Sequence, residues 1–222
     1  MNIAIIGNGK MGKKISKLAI KKGHRIVYFT DSNKPATSLN LSKADIAIDF
    51  STPSTAYESI AHAINSGTPV VSGTTGWLNR LEEINELCIR KGGAFLHSNN
   101  FSIGVNIFFE INKKLAQLMK NQNYKSQINE IHHTNKIDSP SGTAITLAEQ
   151  IDKILESKTE INSKRINNIT GTHQITYSSI IDEIQIKHTA NNRDGFAIGA
   201  IIAAEWLIGK KGVYSMKDIF VL

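Results

Sequence analysis

Residues 2–12 read Asn-Ile-Ala-Ile-Ile-Gly-Asn-Gly-Lys-Met-Gly, and this stretch decides the fold of the first part of the chain. The apolar run at 2–6 is typical of a buried parallel strand, and the residues after it have a helical pattern up to about Lys22. Glycines spaced G-x-G-x-x-G between a strand and a helix allow a tight turn, close approach of the backbone to a pyrophosphate, and close packing of the helix on the strand. The stretch therefore predicts a dinucleotide site formed by Gly7, Asn8, Gly9, Lys10, Met11 and Gly12.

An acidic residue follows the second predicted strand, His24 to Phe29. Asp31 lies 24 residues after Gly7, where a carboxylate accepts hydrogen bonds from the ribose of a dinucleotide. Asp31 favours the free ribose of NADH, whereas the polar residues 32–34 could hold the 2′-phosphate of NADPH. The sequence thus predicts a nicotinamide cofactor, NADH or NADPH, and leaves the choice between them open.

Strands and helices continue to alternate up to residue 101, which is typical of a doubly wound parallel sheet. Further strands are predicted at 46–50, 69–72 and 94–97, and the second crossover, at 33–43, lacks a strong helical pattern. Because ligands bind at the carboxyl ends of parallel strands, the loop residues Gly73, Thr74 and Thr75 are predicted to contact the cofactor. A plain turn is the competing interpretation.

Beyond residue 120 the pattern becomes strand-rich. Residues 127–133 alternate, a helix is predicted from Thr143 to about Leu155, and the runs 165–170, 172–177 and 182–188 are interpreted as antiparallel strands. A helical pattern at 193–209 is expected to pack back on the first domain. The predicted fold class is α/β: a Rossmann-type domain at 1–101, completed by 193–222, and an α+β domain at 102–192 with an open mixed sheet.

The second domain contains the densest group of reactive side chains, in the stretch Glu-Ile-His-His-Thr-Asn-Lys-Ile-Asp-Ser-Pro-Ser-Gly-Thr-Ala at 130–144. Imidazoles transfer protons near neutral pH, and a lysine can donate a proton or bind a carboxylate. The Ser-Gly-Thr turn resembles a helix start, where backbone N–H groups bind anions. These features predict a catalytic pocket for an acidic substrate. The alternative is a strand with a polar end, followed by an ordinary capped helix.

Composition limits the partners and the compartment. The 222 residues carry a formal net charge of +7, but the lysines are scattered and lack interleaved aromatic residues, so binding to nucleic acid is not predicted. No apolar stretch is long enough for a membrane span, and the run before Gly7 is too short for a signal peptide. Cys88 is the only cysteine, which is consistent with a reducing compartment. A cytoplasmic location without membrane partners is predicted.

No metal site is predicted, although four histidines occur at 97, 132, 133 and 173. Adjacent histidines of a strand point to opposite faces, and no acidic or cysteine partner is recognised at a ligand spacing. His173 and His188 are interpreted as structural or surface residues.

Taken together, the motifs resemble the 4-hydroxy-tetrahydrodipicolinate reductase family, the bacterial dihydrodipicolinate reductases of lysine and diaminopimelate synthesis. The resemblance covers nearly the whole chain, and its most specific part is the His-His-x-x-Lys to Ser-Gly-Thr motif. The matching segments lie at 7–12, 49–53, 73–76, 100–106 and 130–144.

The resemblance implies roles for individual residues. His132 would donate or accept a proton and Lys136 would be a second proton donor, while His133, Gly142 and Thr143 would bind the substrate. On the cofactor side it adds Ser98, Asn99, Asn100 and Phe101, and it places Arg193 and Phe196 near the nicotinamide. It also implies a cytoplasmic homotetramer, joined through the sheets of the C-terminal domains, that acts on a small dicarboxylate.

Two departures and two alternatives accompany this resemblance. The chain is short for the family between Leu155 and Gly171, where an extra strand and a loop are expected to be missing, and Asp31 with its neighbours replaces a Glu-Arg type of pair. Another two-domain reductase, such as an amino-acid dehydrogenase, explains the first hundred residues equally well but not residues 132–143. A nicotinamide-sensing protein without turnover is the other alternative, although it would have no need of the proton donors.

Overall fold

The computed structural model describes residues 1–31, 36–38 and 40–220. It divides into two compact units, Met1–Ile103 with Asp194–Leu222 and Gly104–Arg193. In chain order, the elements up to residue 97 are β1 (Asn2–Ile6), α1 (Lys10–Lys21), β2 (Arg25–Thr30), β3 (Ile46–Asp49), α2 (Pro53–Asn65), β4 (Val70–Ser72), α3 (Leu81–Lys91) and β5 (Ala94–His97). The later elements are α4 (Ile103–Met119), β6 (Lys125–His132), α5 (Gly142–Leu155), β7 (Glu160–Arg165), β8 (Thr172–Ser178), β9 (Glu183–Thr189), α6 (Asp194–Leu207), β10 (Gly212–Tyr214) and α7 (Met216–Ile219).

The first unit contains a parallel sheet in the order β10-β5-β4-β3-β1-β2. Successive side chains of β1 enter different cores: Ile3 and Ile5 pack on one side of the sheet, and Ala4 and Ile6 pack on the other. A strand that is buried on both faces needs a continuous apolar run, which is why residues 2–6 are apolar throughout. The predicted Rossmann-type fold is confirmed.

The strand register aligns the carboxyl ends of five strands. Ile6 is paired with both Thr30 and Asp49, Asp49 with Ser72, and Ser72 with His97. The residues that directly follow these strand ends are Gly7, Asp31, Phe50, Gly73 and Ser98. Four of these five were predicted to be cofactor residues, and the register brings them to one edge of the sheet.

The second unit contains a four-stranded sheet in the order β7-β6-β8-β9. β6 pairs in parallel with β7 and antiparallel with β8, which confirms the predicted mixed sheet. One face of the sheet packs on α4 and α5 through a core that includes Phe108, Leu147 and Ile175. Because side chains alternate along a strand, Gln127, Asn129 and Gln174 lie on the opposite, polar face.

The predicted strand at 165–170 is wrong. The strand in this region, β7, ends at Arg165 and pairs in parallel with β6, and a turn follows in which Asn168 has a φ of 63°. Asparagine tolerates this left-handed conformation, which ends a strand. The stretch between Leu155 and Gly171 therefore contains a strand, but this strand lies earlier in the chain than predicted. The short β10 and α7 were not predicted.

In the part of the chain that the structure describes, no helix is long and apolar enough to cross a membrane. The residues proposed to hold a 2′-phosphate, 32–34, lie outside the described residues.

Candidate functional site

The turn between β1 and α1 is shaped by glycines. Gly7 has a φ of +104°, and a Cβ atom there would lie 2.3 Å from the carbonyl oxygen of Phe50. A Cβ atom on Gly12 would lie 1.9 Å from the carbonyl oxygen of Gly7. Neither position can carry a side chain, so the turn keeps the bare backbone that a pyrophosphate approaches. These residues fit a dinucleotide.

The remaining members of the predicted turn face solvent or lie near it. Asn8, Gly9 and Lys10 are exposed, and Met11 is half-buried. Gly9 precedes α1 as its N-cap residue, so the first N–H groups of the helix lie beside the turn. Asp31 is exposed, one residue beyond Thr30, whose Oγ1 accepts a hydrogen bond from the backbone N–H of Gly7 at 3.3 Å.

A buried carboxylate that sequence reasoning did not single out holds the neighbouring loops together. Asp49 accepts hydrogen bonds from the hydroxyls of Ser51 (2.6 Å) and Ser72 (2.8 Å). Burial raises the pKa of Asp49, and these hydrogen bonds oppose the shift. Thr74 is buried and its Oγ1 accepts from the backbone N–H of Ser51 at 2.9 Å, so its side chain stabilises the loop. Thr75 is exposed.

The segment from Ser98 to Phe101 forms a compact turn with α4 close behind it. Ser98 Oγ donates to the carbonyl oxygen of Asn100 at 2.9 Å, and Asn100 Oδ1 accepts from the backbone N–H of Ser102 at 2.9 Å. Phe101 is only 2% exposed, and its ring packs against Phe50 with centroids 5.6 Å apart. The side chain of Phe101 is therefore part of the core, whereas Asn99 is exposed.

In the second unit, the reactive side chains meet on the helix-covered face of the sheet. Glu130 is paired directly with His173 across β6 and β8, and His132 with Arg165 across β6 and β7. Glu130 Oε2 lies 3.0 Å from His132 Nδ1, and Arg165 donates two hydrogen bonds of 3.1 Å to Glu130 Oε1. The His132 and His173 rings lie edge to face with centroids 5.0 Å apart.

The protonation of His132 is set by opposing effects. Burial lowers its pKa, the Glu130 carboxylate raises it, and the cationic Lys136 and Arg165 lower it further. The combined effect is a pKa of His132 below the usual value for histidine. A lowered pKa favours the neutral ring, which can take up a proton on its unprotonated nitrogen.

Lys136 and His133 lie just beyond the end of β6. The Nζ atom of Lys136 is 2.6 and 2.8 Å from the carboxylate oxygens of Asp138, and this ion pair lowers the pKa of Asp138. Arg193 NH2 lies 3.1 Å from His133 Nε2. Since guanidinium only donates hydrogen bonds, His133 accepts this one and is neutral at Nε2. The side chain of Phe196 is half-buried in α6 of the first unit.

Gly142 and Thr143 are the first two residues of α5. Ser141 is the N-cap residue, and its hydroxyl accepts a hydrogen bond from the backbone N–H of Ala144 at 3.2 Å. The N–H groups of the first turn have no acceptor within their own helix, and a Cβ atom on Gly142 would meet nothing within 4 Å. This helix start is open to an anion.

Sequence reasoning missed one part of this cluster. Glu130, His132 and His173 bring ligand atoms within 4.8 Å of one another, so the view that no acidic residue lies at a ligand spacing is wrong. The spacing of Glu130 and His132 could have revealed this pair, because residues two apart on a strand share a face. Arg165 and His173 had no comparable signal, since their positions depend on strand pairing. The absence of a metal stays a prediction.

The doubly wound sheet and its glycine turn define a Rossmann-fold oxidoreductase that uses a nicotinamide cofactor. Two family models match the chain, the N-terminus of dihydrodipicolinate reductase at residues 1–101 and its C-terminus at residues 104–220. The chain belongs to the dihydrodipicolinate reductase family. The reductase function in lysine and diaminopimelate biosynthesis that the motifs predict is thereby confirmed.

Individual relatives agree with this assignment. A 4-hydroxy-tetrahydrodipicolinate reductase from Christiangramia forsetii is 46% identical over 99% of this chain and 97% of its own length. Another from Thermosipho africanus is 34% identical, also over 99% of this chain and 97% of its own length. The solved structure of a dipicolinate-bound dihydrodipicolinate reductase from Paenisporosarcina sp. TG-14 has the same fold, with a TM-score of 0.84, 22% identity and 99% coverage of both chains.

Proposed function

We propose that this chain reduces 4-hydroxy-tetrahydrodipicolinate, through the dehydrated dihydrodipicolinate, to tetrahydrodipicolinate with His132 and Lys136 as its proton donors. The observation that carries this proposal is the Glu130 carboxylate, which contacts both His132 and the start of α5. A proton-transfer group and an anion site are thus held by one buried residue. A carboxylated substrate that must be protonated needs both.

The proposed proton chemistry uses two side chains in different settings. The reduced nicotinamide, when bound, supplies a hydride to the conjugated ring of the substrate. His132 protonates the electron-rich carbon that results, because imidazole is the side chain best suited to proton transfer near neutral pH. Lys136 is paired with Asp138, and in the complex its ammonium binds a substrate carboxylate or donates the proton in place of His132.

The proposed substrate site extends from these donors to the first turn of α5. The N–H groups of Gly142 and Thr143 bind one carboxylate, and His133 contacts the substrate. Hydrogen bonds from these donors to a carboxylate are roughly twice as strong as neutral ones. A dicarboxylate is favoured over a monocarboxylate because the helix start and Lys136 are separate anion-binding groups.

The proposed cofactor site is the strand-end edge of the first unit, which acts as the dinucleotide-binding domain at 1–101 with 193–222. The backbone of residues 7–12 binds the pyrophosphate, Asp31 binds the ribose, and the loops 73–75 and 98–101 border the nicotinamide end. The family resemblance assigns Arg193 and Phe196 to the nicotinamide as well. The chain uses both NADH and NADPH, with Asp31 favouring NADH.

The second unit, near 102–192, is proposed to join four copies of the chain. Its sheet has one face covered by α4 and α5, and an opposite face of polar side chains, uncharged and charged, that sheets of other subunits can cover. The homotetramer is proposed to be cytoplasmic, in keeping with a single, buried cysteine. Recovery of the activity in the membrane or periplasmic fraction of the source cells would contradict this location.

A coupled assay tests the activity. Dihydrodipicolinate synthase with pyruvate and aspartate semialdehyde generates the substrate, and the loss of NADH or NADPH absorbance is followed. Consumption of cofactor that depends on both proteins is expected, with a higher kcat/KM for NADH. Binding of both cofactors without consumption would leave the nicotinamide-sensing alternative in its place.

A further inference from the structure

We propose that Glu130 is the positioning residue of this site: its carboxylate holds His132 in one tautomer and fixes it relative to the first turn of α5. The inference rests on the proposed function, because it has a consequence for turnover only if His132 transfers the proton. The sequence pattern assigns this glutamate no role.

The two oxygens of Glu130 face different partners. Oε1 accepts hydrogen bonds from the backbone N–H of Ser141 at 3.2 Å and from both terminal nitrogens of Arg165 at 3.1 Å. Oε2 lies 3.0 Å from Nδ1 of His132, an ion-pair contact in which the two atoms are not aligned for a hydrogen bond. One carboxylate thus connects the strand of the proton donor, the start of the substrate-binding helix and the neighbouring β7.

Glu130 carries its charge although it is 0% exposed. A buried carboxylate must be paired and hydrogen-bonded to remain ionised. Burial alone would raise the pKa of Glu130, but hydrogen bonding at Ser141 and Arg165 outweighs burial and lowers it. The carboxylate is therefore ionised at neutral pH and acts on the imidazole beside it.

His173 does not compete with His132 for this carboxylate. Its Nε2 is 3.7 Å from Glu130 Oε2 but only 3.0 Å from Ser141 Oγ. Ser141 Oγ, which also accepts a hydrogen bond from the backbone N–H of Ala144, is therefore the hydrogen-bond partner of His173. Burial lowers the pKa of His173 to about 4, so this ring is neutral and packs against His132 without adding charge.

The position of the carboxylate determines which nitrogen of His132 reacts. The negative charge 3.0 Å from Nδ1 electrostatically favours a proton on that nitrogen, which leaves Nε2 to exchange a proton with the substrate. A Cβ atom on Gly171 would lie 3.0 Å from Nε2. Because glycine has no side chain, the Nε2 edge of the ring has room there.

Charged and titratable groups surround His132 on every neighbouring element. They come from β6, β7, β8 and the loop after β6: Glu130, Arg165, His173, His133 and Lys136. Four of these groups, all except His173, shift the pKa of His132, and only Glu130 raises it. Loss of this negative charge therefore lowers the pKa of His132, whereas loss of any other group does not.

A divalent metal is the competing explanation for Glu130, His132 and His173, because their ligand atoms lie close together. Arg165 already donates two hydrogen bonds to this carboxylate, so the cation that compensates Glu130 belongs to the protein. A metal ion would also occupy the imidazole that transfers the proton. The positioning role explains the cluster with the groups that are present.

The test is Glu130→Gln with Glu149→Gln, an exposed glutamate of α5, as the matched control. In Glu130→Gln the amide oxygen still accepts from Ser141 and Arg165, so its NH₂ group faces Nδ1 of His132 and imposes the other tautomer. We expect kcat to fall at least about tenfold, the basic limb of its pH profile to move down by about one pH unit, and KM to change little. Glu130→Asp keeps the negative charge, so the basic limb of its pH profile should stay at the wild-type position. This variant tests the proposal even if Glu130→Gln folds poorly.

Each failure has its own signature. If His132→Gln keeps the wild-type kcat, the proton role of the proposed function fails. If His132→Gln loses turnover but Glu130→Gln keeps the wild-type pH limb, the positioning role alone is overturned. Dialysis against a chelator should leave activity unchanged, and activity that is lost and then restored by Zn²⁺ would overturn the inference in favour of a metal site.

Discussion

The buried imidazole of His173 makes the stability of the second unit depend on pH. Burial lowers its pKa from 6.5 to about 4, so the unfolded chain binds a proton at a pH where the folded chain does not. The stability that the neutral ring contributes is full above pH 6.5 and is lost as the pH falls towards 4, by about 3 kcal/mol in total.

His173→Gln removes this titration and keeps a polar partner for Ser141. The free energy of unfolding of this variant, measured with urea at pH 7, 5.5 and 4.5 by circular dichroism, should fall less than that of the wild type. An equal loss of unfolding free energy in both proteins would show that other groups cause the loss of stability at acidic pH.

Lys136 illustrates a side chain whose partner changes in the complex. Asp138 holds its ammonium without substrate, and both residues lie in the loop after β6. Lys136→Ala should lower kcat by about 10²-fold, within the usual range for a proton donor, and leave the Kd of NADH unchanged in a fluorescence titration. Lys114→Ala, an exposed lysine of α4, is the control, and an unchanged kcat in Lys136→Ala would exclude the role.

At the scale of elements, the turn between β1 and α1 tolerates little change. A Cβ atom on Gly12 would lie 1.9 Å from the carbonyl oxygen of Gly7, whereas one on Gly93 would meet its neighbours at 3.5 Å or more. Gly12→Ala should therefore cost at least about 1–3 kcal/mol of stability, as overpacking does, and weaken binding of the cofactor. Gly93→Ala should do neither, and thermal melts with and without NADH compare the two.

Local sequence patterns correctly predicted the elements that depend only on residues close to them in the chain. β1 and β5 are short apolar runs with glycines beside them, and their predicted bounds agree with the structure. The end of β7 was missed because Asn168, which closes it, belongs to a polar stretch without periodicity.

The candidate site shows the same limit. The histidines and Lys136 could be found because they lie within one short motif. Arg165 is 35 residues from Glu130 in the chain, and only the pairing of β6 with β7 brings them together. Phe101 matched a cofactor segment, yet its side chain packs in the core, since a family pattern does not tell which atoms of a residue face the ligand.

At the scale of the whole molecule, the proposed homotetramer would be joined through the open face of the second sheet. Asn129 and Gln174 are paired across β6 and β8 at the centre of this face, and both are half-buried. Covering the face with sheets of other subunits would bury their amides, which can hydrogen-bond across the interface, whereas an added charge there would be buried without a partner.

If the proposed tetramer forms through this face, Gln174→Arg should convert it to smaller species in light scattering coupled to size-exclusion chromatography. The same change at Gln117, an exposed residue of α4 on the helix-covered side, should leave the assembly intact, because an arginine there stays in water. Circular dichroism distinguishes loss of assembly from loss of folding, since β6 and β8 keep their pairing within one chain. A tetramer that persists in Gln174→Arg would mean that the subunits associate through another surface.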